Sequence, residues 1–288
     1  MKTSKALITS TRNPHIIEAR SLRLRKKRDQ LGKAYVEGIN STLAAIESGA
    51  DIEHLIGCPN LLKSETVKQL LENSTLAVLE VTEEVFRSLS MRDGPQGIAA
   101  VIRQTWSELE SIHTGKKDSL WIALDSAADE GNIGSIIRTS EAVSAAGVIL
   151  IGNTADPYSP LAIKASTGAL FYQDLIRCSW DQLVNWARKH GVRIVGTSGS
   201  STVDYRNIDR SAETLVVMGS ERAGLSEIQQ QQCDLVVSIP MNGKVDSLNV
   251  SSAATLLLYE LSSTSVSYTH LRAHETRHDL VCRLLLEK

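Results

Sequence analysis

Apolar positions along this 288-residue chain fall into two alternating patterns. Short apolar runs at 34–36, 52–56, 77–81 and 97–102 predict strands, while apolar positions three to four apart at 41–47, 61–71 and 83–89 predict helices. That alternation over 33–105 describes a small α/β sandwich. Polar residues 106–118, with the stretch His113-Thr114-Gly115-Lys116-Lys117, read as a linker. Continuous apolar runs then recur at 120–124, 148–151, 192–196, 215–218 and 235–239, separated by helical patterns at 133–146, 181–190, 225–231 and 248–261. Strands that are apolar throughout and joined by helices imply a parallel sheet covered on both faces, so 119–265 reads as a second α/β domain.

Three junctions of this second domain deliver polar residues from a buried strand to a helix start, where free N–H groups and the helix dipole favour ligands. In the first, Trp121-Ile122-Ala123-Leu124 runs through an acidic loop into Asn132-Ile133-Gly134-Ser135-Ile136-Ile137-Arg138. Asn132 stands at an N-cap position, Gly134 admits a close neighbour, and Arg138 follows six residues on, near the same helix face. The second junction is Gly219-Ser220-Glu221-Arg222-Ala223-Gly224-Leu225, in which two glycines bracket a carboxylate. The third runs from Ile239-Pro240-Met241 to Ser247-Leu248-Asn249-Val250, with Ser247 at a helix-start position.

The net charge of −2 conceals an asymmetry. Residues 1–33 hold ten Lys and Arg against Glu18 and Asp29, a local +8, which leaves −10 on the remainder. Residues 1–32 therefore read as a basic helical arm suited to phosphates, densest from Arg23 to Arg28. The competing reading of that run is a solvated helix face. The first twenty residues contain no apolar run beyond Ala6-Leu7-Ile8, and no stretch approaches the roughly 20 residues of a membrane span, so a cytoplasmic chain is expected. Cys58, Cys178, Cys233 and Cys282 are far apart and form no CxxC pair, which fits reduced, mostly buried thiols.

Past residue 261 the pattern degrades. His274-Glu275-Thr276-Arg277-His278 matches HExxH, a zinc-hydrolase signature, but such an enzyme needs a cleft and usually another ligand further on, and only ten residues follow it, so no metal is expected. Residues 266–288 look like translated vector sequence and are expected to be a non-native or disordered tail.

Together the three junctions resemble the three sequence motifs of the SpoU (TrmH-type) family of RNA ribose 2′-O-methyltransferases. The likeness is close over about 118–262 and looser over 33–102, which look like the family's substrate-binding domain. One departure is Glu130, where the family often has Pro two residues before the first motif's Asn. The resemblance implies a SPOUT-like α/β domain with a deep trefoil knot, S-adenosylmethionine as cofactor, and a homodimer with its active site at the interface. It also implies a structured RNA substrate, with rRNA favoured over tRNA by the two-domain layout.

Carried over residue by residue, the resemblance places Asn132, Arg138, Glu221, Ser247 and Asn249 at the acceptor. Gly196, Thr197, Gly219, Ile239, Met241 and Leu248 would hold the cofactor. Separately, the charge of the basic segment marks Arg12, Arg23, Arg25, Lys26, Lys27 and Arg28 as RNA contacts. An Arg of pKa above ~12 is a poor base, so Arg138 is expected to grip the target phosphate and orient the hydroxyl, leaving the proton to Glu221 or water. The plainer readings make Asn132 and Ser247 simple N-caps and Glu221 an ion-pair partner of Arg222. Three other functions compete: an RNA-binding protein with an inactive methyltransferase domain, a zinc hydrolase based on the tail, and a nucleotide-dependent oxidoreductase. The last lacks a GxGxxG after any strand.

Overall fold

The computed structural model describes residues 7–113, 115–116 and 119–262, so the HExxH run, Cys282 and the 266–288 tail lie outside the described residues. Asn13 opens α1 (Pro14–Ser21) by accepting from the His15 N–H, with Pro14 at the first helical position. A tight turn leads to α2 (Arg25–Leu31), closed by Gly32 at φ 62°. Then follow β1 (Lys33–Glu37), α3 (Ile39–Glu47), β2 (Ile52–Gly57), α4 (Glu65–Asn73), β3 (Val78–Glu80), α5 (Glu83–Leu89) and β4 (Ile98–Arg103). The four strands form a mixed sheet in the order β1-β4-β2-β3, antiparallel except between β2 and β3. Ile16, Ala19 and Leu22 are buried with Tyr35, Phe86 and Val101. The basic segment is thus built into the N-terminal unit and is not a separate arm, because its apolar face needs that sheet for cover.

The second half comprises β5 (Leu120–Asp125), α6 (Glu130–Ala142), β6 (Gly147–Ile151), α7 (Pro160–Ser166), β7 (Leu175–Cys178), α8 (Trp180–His190), β8 (Arg193–Thr197), β9 (Thr214–Met218), α9 (Glu227–Gln232), β10 (Leu235–Val237) and α10 (Val250–Ser262). Its six strands are all parallel, in the order β10-β8-β9-β5-β6-β7. Strand β7 and helix α7 are additions to the predicted set. The residues preceding α7 did signal it: Ser159 caps the helix by accepting from the Ala162 N–H, with Pro160 at its first position.

Strand alternation sorts the core into three layers. On β4, Ile98, Ala100 and Ile102 point one way, while Ala99 and Val101 point the other. On β5, Leu120, Ile122 and Leu124 join the same layer as Ile98, and Trp121 and Ala123 face α8 with Leu183 and Trp186. The middle layer is therefore one continuous apolar cluster shared by the inner faces of both sheets and by α6, α7 and α10. The predicted linker is strapped down as well: the Ser107 N–H donates to the Leu175 carbonyl at 2.9 Å, and Trp121 Nε1 donates to the Ile112 carbonyl at 3.3 Å. Among the described residues, no helix is long and apolar enough to cross a membrane.

Candidate active site

Parallel pairing brings the carboxyl ends of four strands to one rim. Leu124 pairs with Met218, Gly196 with Val217, and Thr197 with Val237. The loops after Asp125, Thr197, Met218 and Val237 therefore leave the sheet side by side, at the ~4.8 Å strand spacing. Thr197 is anchored by its hydroxyl, which donates to the Val217 carbonyl at 3.1 Å.

Two glycines are required here by space. A Cβ on Gly219 would lie 2.2 Å from the carbonyl carbon of Gly224, where the 220–224 turn folds back on the strand end. That turn closes through the Gly224 N–H donating to the Ser220 carbonyl at 2.9 Å, with Gly224 at φ 65°. A Cβ on Gly196 would meet the Cys233 sulfur at 2.8 Å. Burial first, then Asp234, pushes the Cys233 thiol up to about 11, so the sulfur here is filler and not a nucleophile.

Glu221, at the tip of this turn, reaches across to the first junction and accepts from the Ala128 N–H at 3.2 Å. Burial pushes its carboxyl up, but the N–H groups of Glu221, Ala128 and Asp129 and the Asn132 side chain together outweigh that, and its pKa lies below the usual Glu value. Asn132 is free to serve because it is not the N-cap of α6. Asp129 caps that helix by accepting from the Asn132 N–H at 2.7 Å, which corrects the expected N-cap assignment and places Asn132 in the first turn. The first two motifs thus meet through Asn132 and Glu221.

The third motif also differs in detail from the expectation. Asn249, not Ser247, organises the start of α10: its Oδ1 accepts from the Ser251 N–H at 2.8 Å and from the Ser251 hydroxyl at 2.6 Å. Ser247 lies two residues further out on an exposed loop. Arg138 is exposed on α6, about 9 Å along the helix axis from Asn132 and turned well away from it at 100° per residue, which corrects the expected shared face. Among the described residues it bonds to neither Glu221 nor Asn249. The next residue, Thr139, pairs its hydroxyl with that of Thr255 at 3.1 Å, joining α6 to α10. Ile239 and Met241, in the loop that follows β10, are half-buried, and Leu248 further along that loop is exposed.

The basic residues divide. Arg12, Lys26 and Lys27 are exposed on the N-terminal unit. Arg23 is half-buried and donates to the Ser88 and Ser90 carbonyls, and Arg25 donates to the Thr154 carbonyl at 3.3 Å. Arg28 must be removed from the RNA-contacting set. Its side chain is buried, with Nε 2.6 Å from Asp156 and Nη1 donating to the Leu22 and Arg23 carbonyls, so no face remains for a phosphate. Two supports escaped the sequence reading: the Asp129 cap, and Gln229 of α9, whose amide donates to Asp125 at the end of β5.

Comparison with known proteins bears on this rim. Residues 119–259 match the SpoU rRNA Methylase family, and residues 13–100 match the MRM3-like substrate binding domain. A 23S rRNA (uridine(2479)-2′-O)-methyltransferase of Streptomyces viridochromogenes is 32% identical over 84% of this chain and 87% of its own length. The 23S rRNA (guanosine(2553)-2′-O)-methyltransferase RlmP of Bacillus subtilis is 28% identical over 88% of this chain and 98% of its own. The crystal structure of an AdoMet-bound rRNA methyltransferase from Sinorhizobium meliloti superimposes with a TM-score of 0.83 at 33% identity, covering 91% of this chain and 99% of that one. With its motif loops gathered on one strand rim, its two domains matched and its fold shared, this chain belongs to the SpoU rRNA methylase family.

Proposed function

We propose that the chain transfers the methyl group of S-adenosylmethionine to a ribose 2′-hydroxyl of rRNA. The linkage of Glu221 to Asn132 and the Ala128 N–H carries the reading, because it locks two motif loops together at the strand ends where ligands of parallel sheets bind. The donor site fits the residues present: Gly219 and Gly196 let the 220–224 turn and Cys233 pack tightly against the strand ends, which holds the rim backbone in place, and Ile239, Met241 and Leu248 of the third motif supply apolar side chains for a purine. When bound, S-adenosylmethionine supplies an electrophilic methyl on a sulfonium, so catalysis rests on positioning and on the hydroxyl proton.

In this reading Glu221 and Asn132 fix the acceptor loop, while Arg138 binds the target phosphate and orients the hydroxyl. Ser247 and Asn249 shape the third wall. Glu221 is a weak base because its ionised form is already stabilised, so the proton passes to water. Arg138 is exposed and makes no bond to Glu221 within the described residues of one chain, which supports a homodimer in which each Arg138 serves the partner's site. Leu256 and Tyr259, exposed three residues apart on α10, offer an apolar surface for that contact. A trefoil knot and a cytoplasmic location complete the reading. Supporting the knot, residues 198–205 wrap the end of β10, with the Ser198 N–H donating to the Val237 carbonyl and the Ser238 N–H to the Val203 carbonyl, before α10 returns to pack on α6.

Tritium transfer from labelled S-adenosylmethionine into separated rRNA and tRNA tests the reading, with ribose methylation then mapped. Label in 23S rRNA is expected. Label confined to tRNA would change the substrate, and label in neither would leave an inactive RNA-binding protein. Mixing Arg138→Ala with Glu221→Ala protein tests the dimer: random exchange should restore about a quarter of wild-type activity, since half the dimers carry one intact site. Mixtures as inactive as their parents would place both residues in one chain's site.

A further inference from the structure

A second feature lies on the same rim, three strands from Glu221. Between α2 and the ends of β6 and β7 is an open crevice of about 320 Å³, lined by Arg25 from the N-terminal unit and by Arg177, Thr154 and Gln182 from the catalytic half. Arg177 stacks on Trp106, its guanidinium carbon 3.7 Å from the ring centroid, which fixes the plane and leaves the N–H edge for an acceptor. Nearby carboxylates do not cancel the charge. Asp156 is committed to Arg28 at 2.6 Å and to the Tyr158 N–H at 2.9 Å, and lies 3.9 Å from Arg177. Asp29 stands 3.7 Å from Arg25, so three guanidiniums face two carboxylates. The N-terminus of α8 adds little attraction, since the Ser179–Gln182 capping box already satisfies its first donors.

The crevice is coupled to the acceptor loop. The Ala155 N–H donates to the Ala127 carbonyl at 2.8 Å, and the Thr154 hydroxyl donates to the Leu124 carbonyl at 3.1 Å. The next residue, Ala128, is the one that donates to Glu221. Gly152 is held where a Cβ would strike the Ser126 hydroxyl at 2.7 Å. Three strand spacings, about 14 Å, separate the lines of β9 and β7, a distance that a few nucleotides span.

We infer that the Arg25–Arg177 crevice is a phosphate subsite that grips the RNA backbone beside the methylated nucleotide, with one guanidinium from each half of the chain. This rests on the RNA methyltransferase reading above. A planar, stacked guanidinium suits a phosphodiester oxygen, and such a contact positions RNA without reading its sequence.

The test measures affinity of the full-length protein for an unmodified 23S rRNA transcript across a salt series, with S-adenosylmethionine binding by calorimetry in parallel. Arg25→Gln with Arg177→Gln should bind RNA about tenfold more weakly at 0.1 M salt, with a log–log salt slope shallower by about 1 to 2, and with cofactor affinity unchanged. Arg177 also packs on Trp106, so Gln182→Glu provides a second variant that keeps the capping box while adding negative charge to the crevice; it should weaken RNA binding in the same direction. Wild-type affinity and slope in both variants, from a protein that still methylates RNA, would overturn the subsite and leave the enzymatic reading intact. A wild-type protein that binds no RNA would overturn both.

Discussion

A carboxylate that accepts from backbone N–H groups and a neighbouring amide is stabilised when ionised, and Glu221 has this environment. Its folded pKa lies below the unfolded value. The contact therefore contributes stability above the unfolded pKa of about 4.3 and is lost only as pH falls through the lower folded value. Methyl transfer by Glu221→Gln should consequently keep the wild-type pH dependence between about pH 6 and 9 while falling in overall rate, as read from kcat/KM across that range. A profile that loses an ionisation in the variant would make Glu221 the base. Asp129 and Asn132 should separate capping from function in the same way. Asp129→Ala should cost about 1 kcal/mol in denaturant unfolding, as for a lost N-cap. Asn132→Ala should cost less stability but lower methyl transfer, because the group it abandons is Glu221.

At the scale of elements, α6 and α7 approach each other closely at Gly134. A Cβ on Gly134 would lie 2.3 Å from the Ala162 carbonyl oxygen, so Gly134→Ala should destabilise by about 1–3 kcal/mol in urea, with α7 displaced. The sequence made this legible only in part. Gly134 could be read as admitting a neighbour, but the neighbour was invisible because α7 spans seven residues, too few for a helical period to declare itself. Strand β7 escaped for a similar reason: its four residues include exposed Arg177 and half-buried Cys178, so no continuous apolar run marks it. The longer buried strands were plain, since both faces of β5, β6 and β9 are covered and their sequences are apolar throughout. At the site, the motif order located the rim, whereas the division of capping between Asp129 and Asn132, and between Ser247 and Asn249, depended on loop geometry that local preference does not specify.

For the whole molecule, composition suggested a basic arm, and the fold uses one of its cations as a fastening. Arg28 ties the α1–α2 turn to Asp156 of the catalytic half, both side chains being buried. Arg28→Ala should cost about 3–5 kcal/mol in equilibrium denaturation, because it strands a buried carboxylate and two carbonyls. A loss below 1 kcal/mol would mean that water or Arg177 takes over the vacancy. The linear charge asymmetry could not distinguish a buried cation from its exposed neighbours, since Lys26, Lys27 and Arg28 are adjacent in sequence and differ only in which side of a short helix they occupy. The shared middle layer, in which Ile98 and Ala100 of one sheet lie in the same cluster as Ile122 and Leu124 of the other, has a consequence for engineering. Chimeras that graft a foreign RNA-recognition half onto this catalytic half would need a matching inner sheet face and an equivalent of Arg28, so retargeting is better attempted by redesigning surface side chains than by exchanging whole modules.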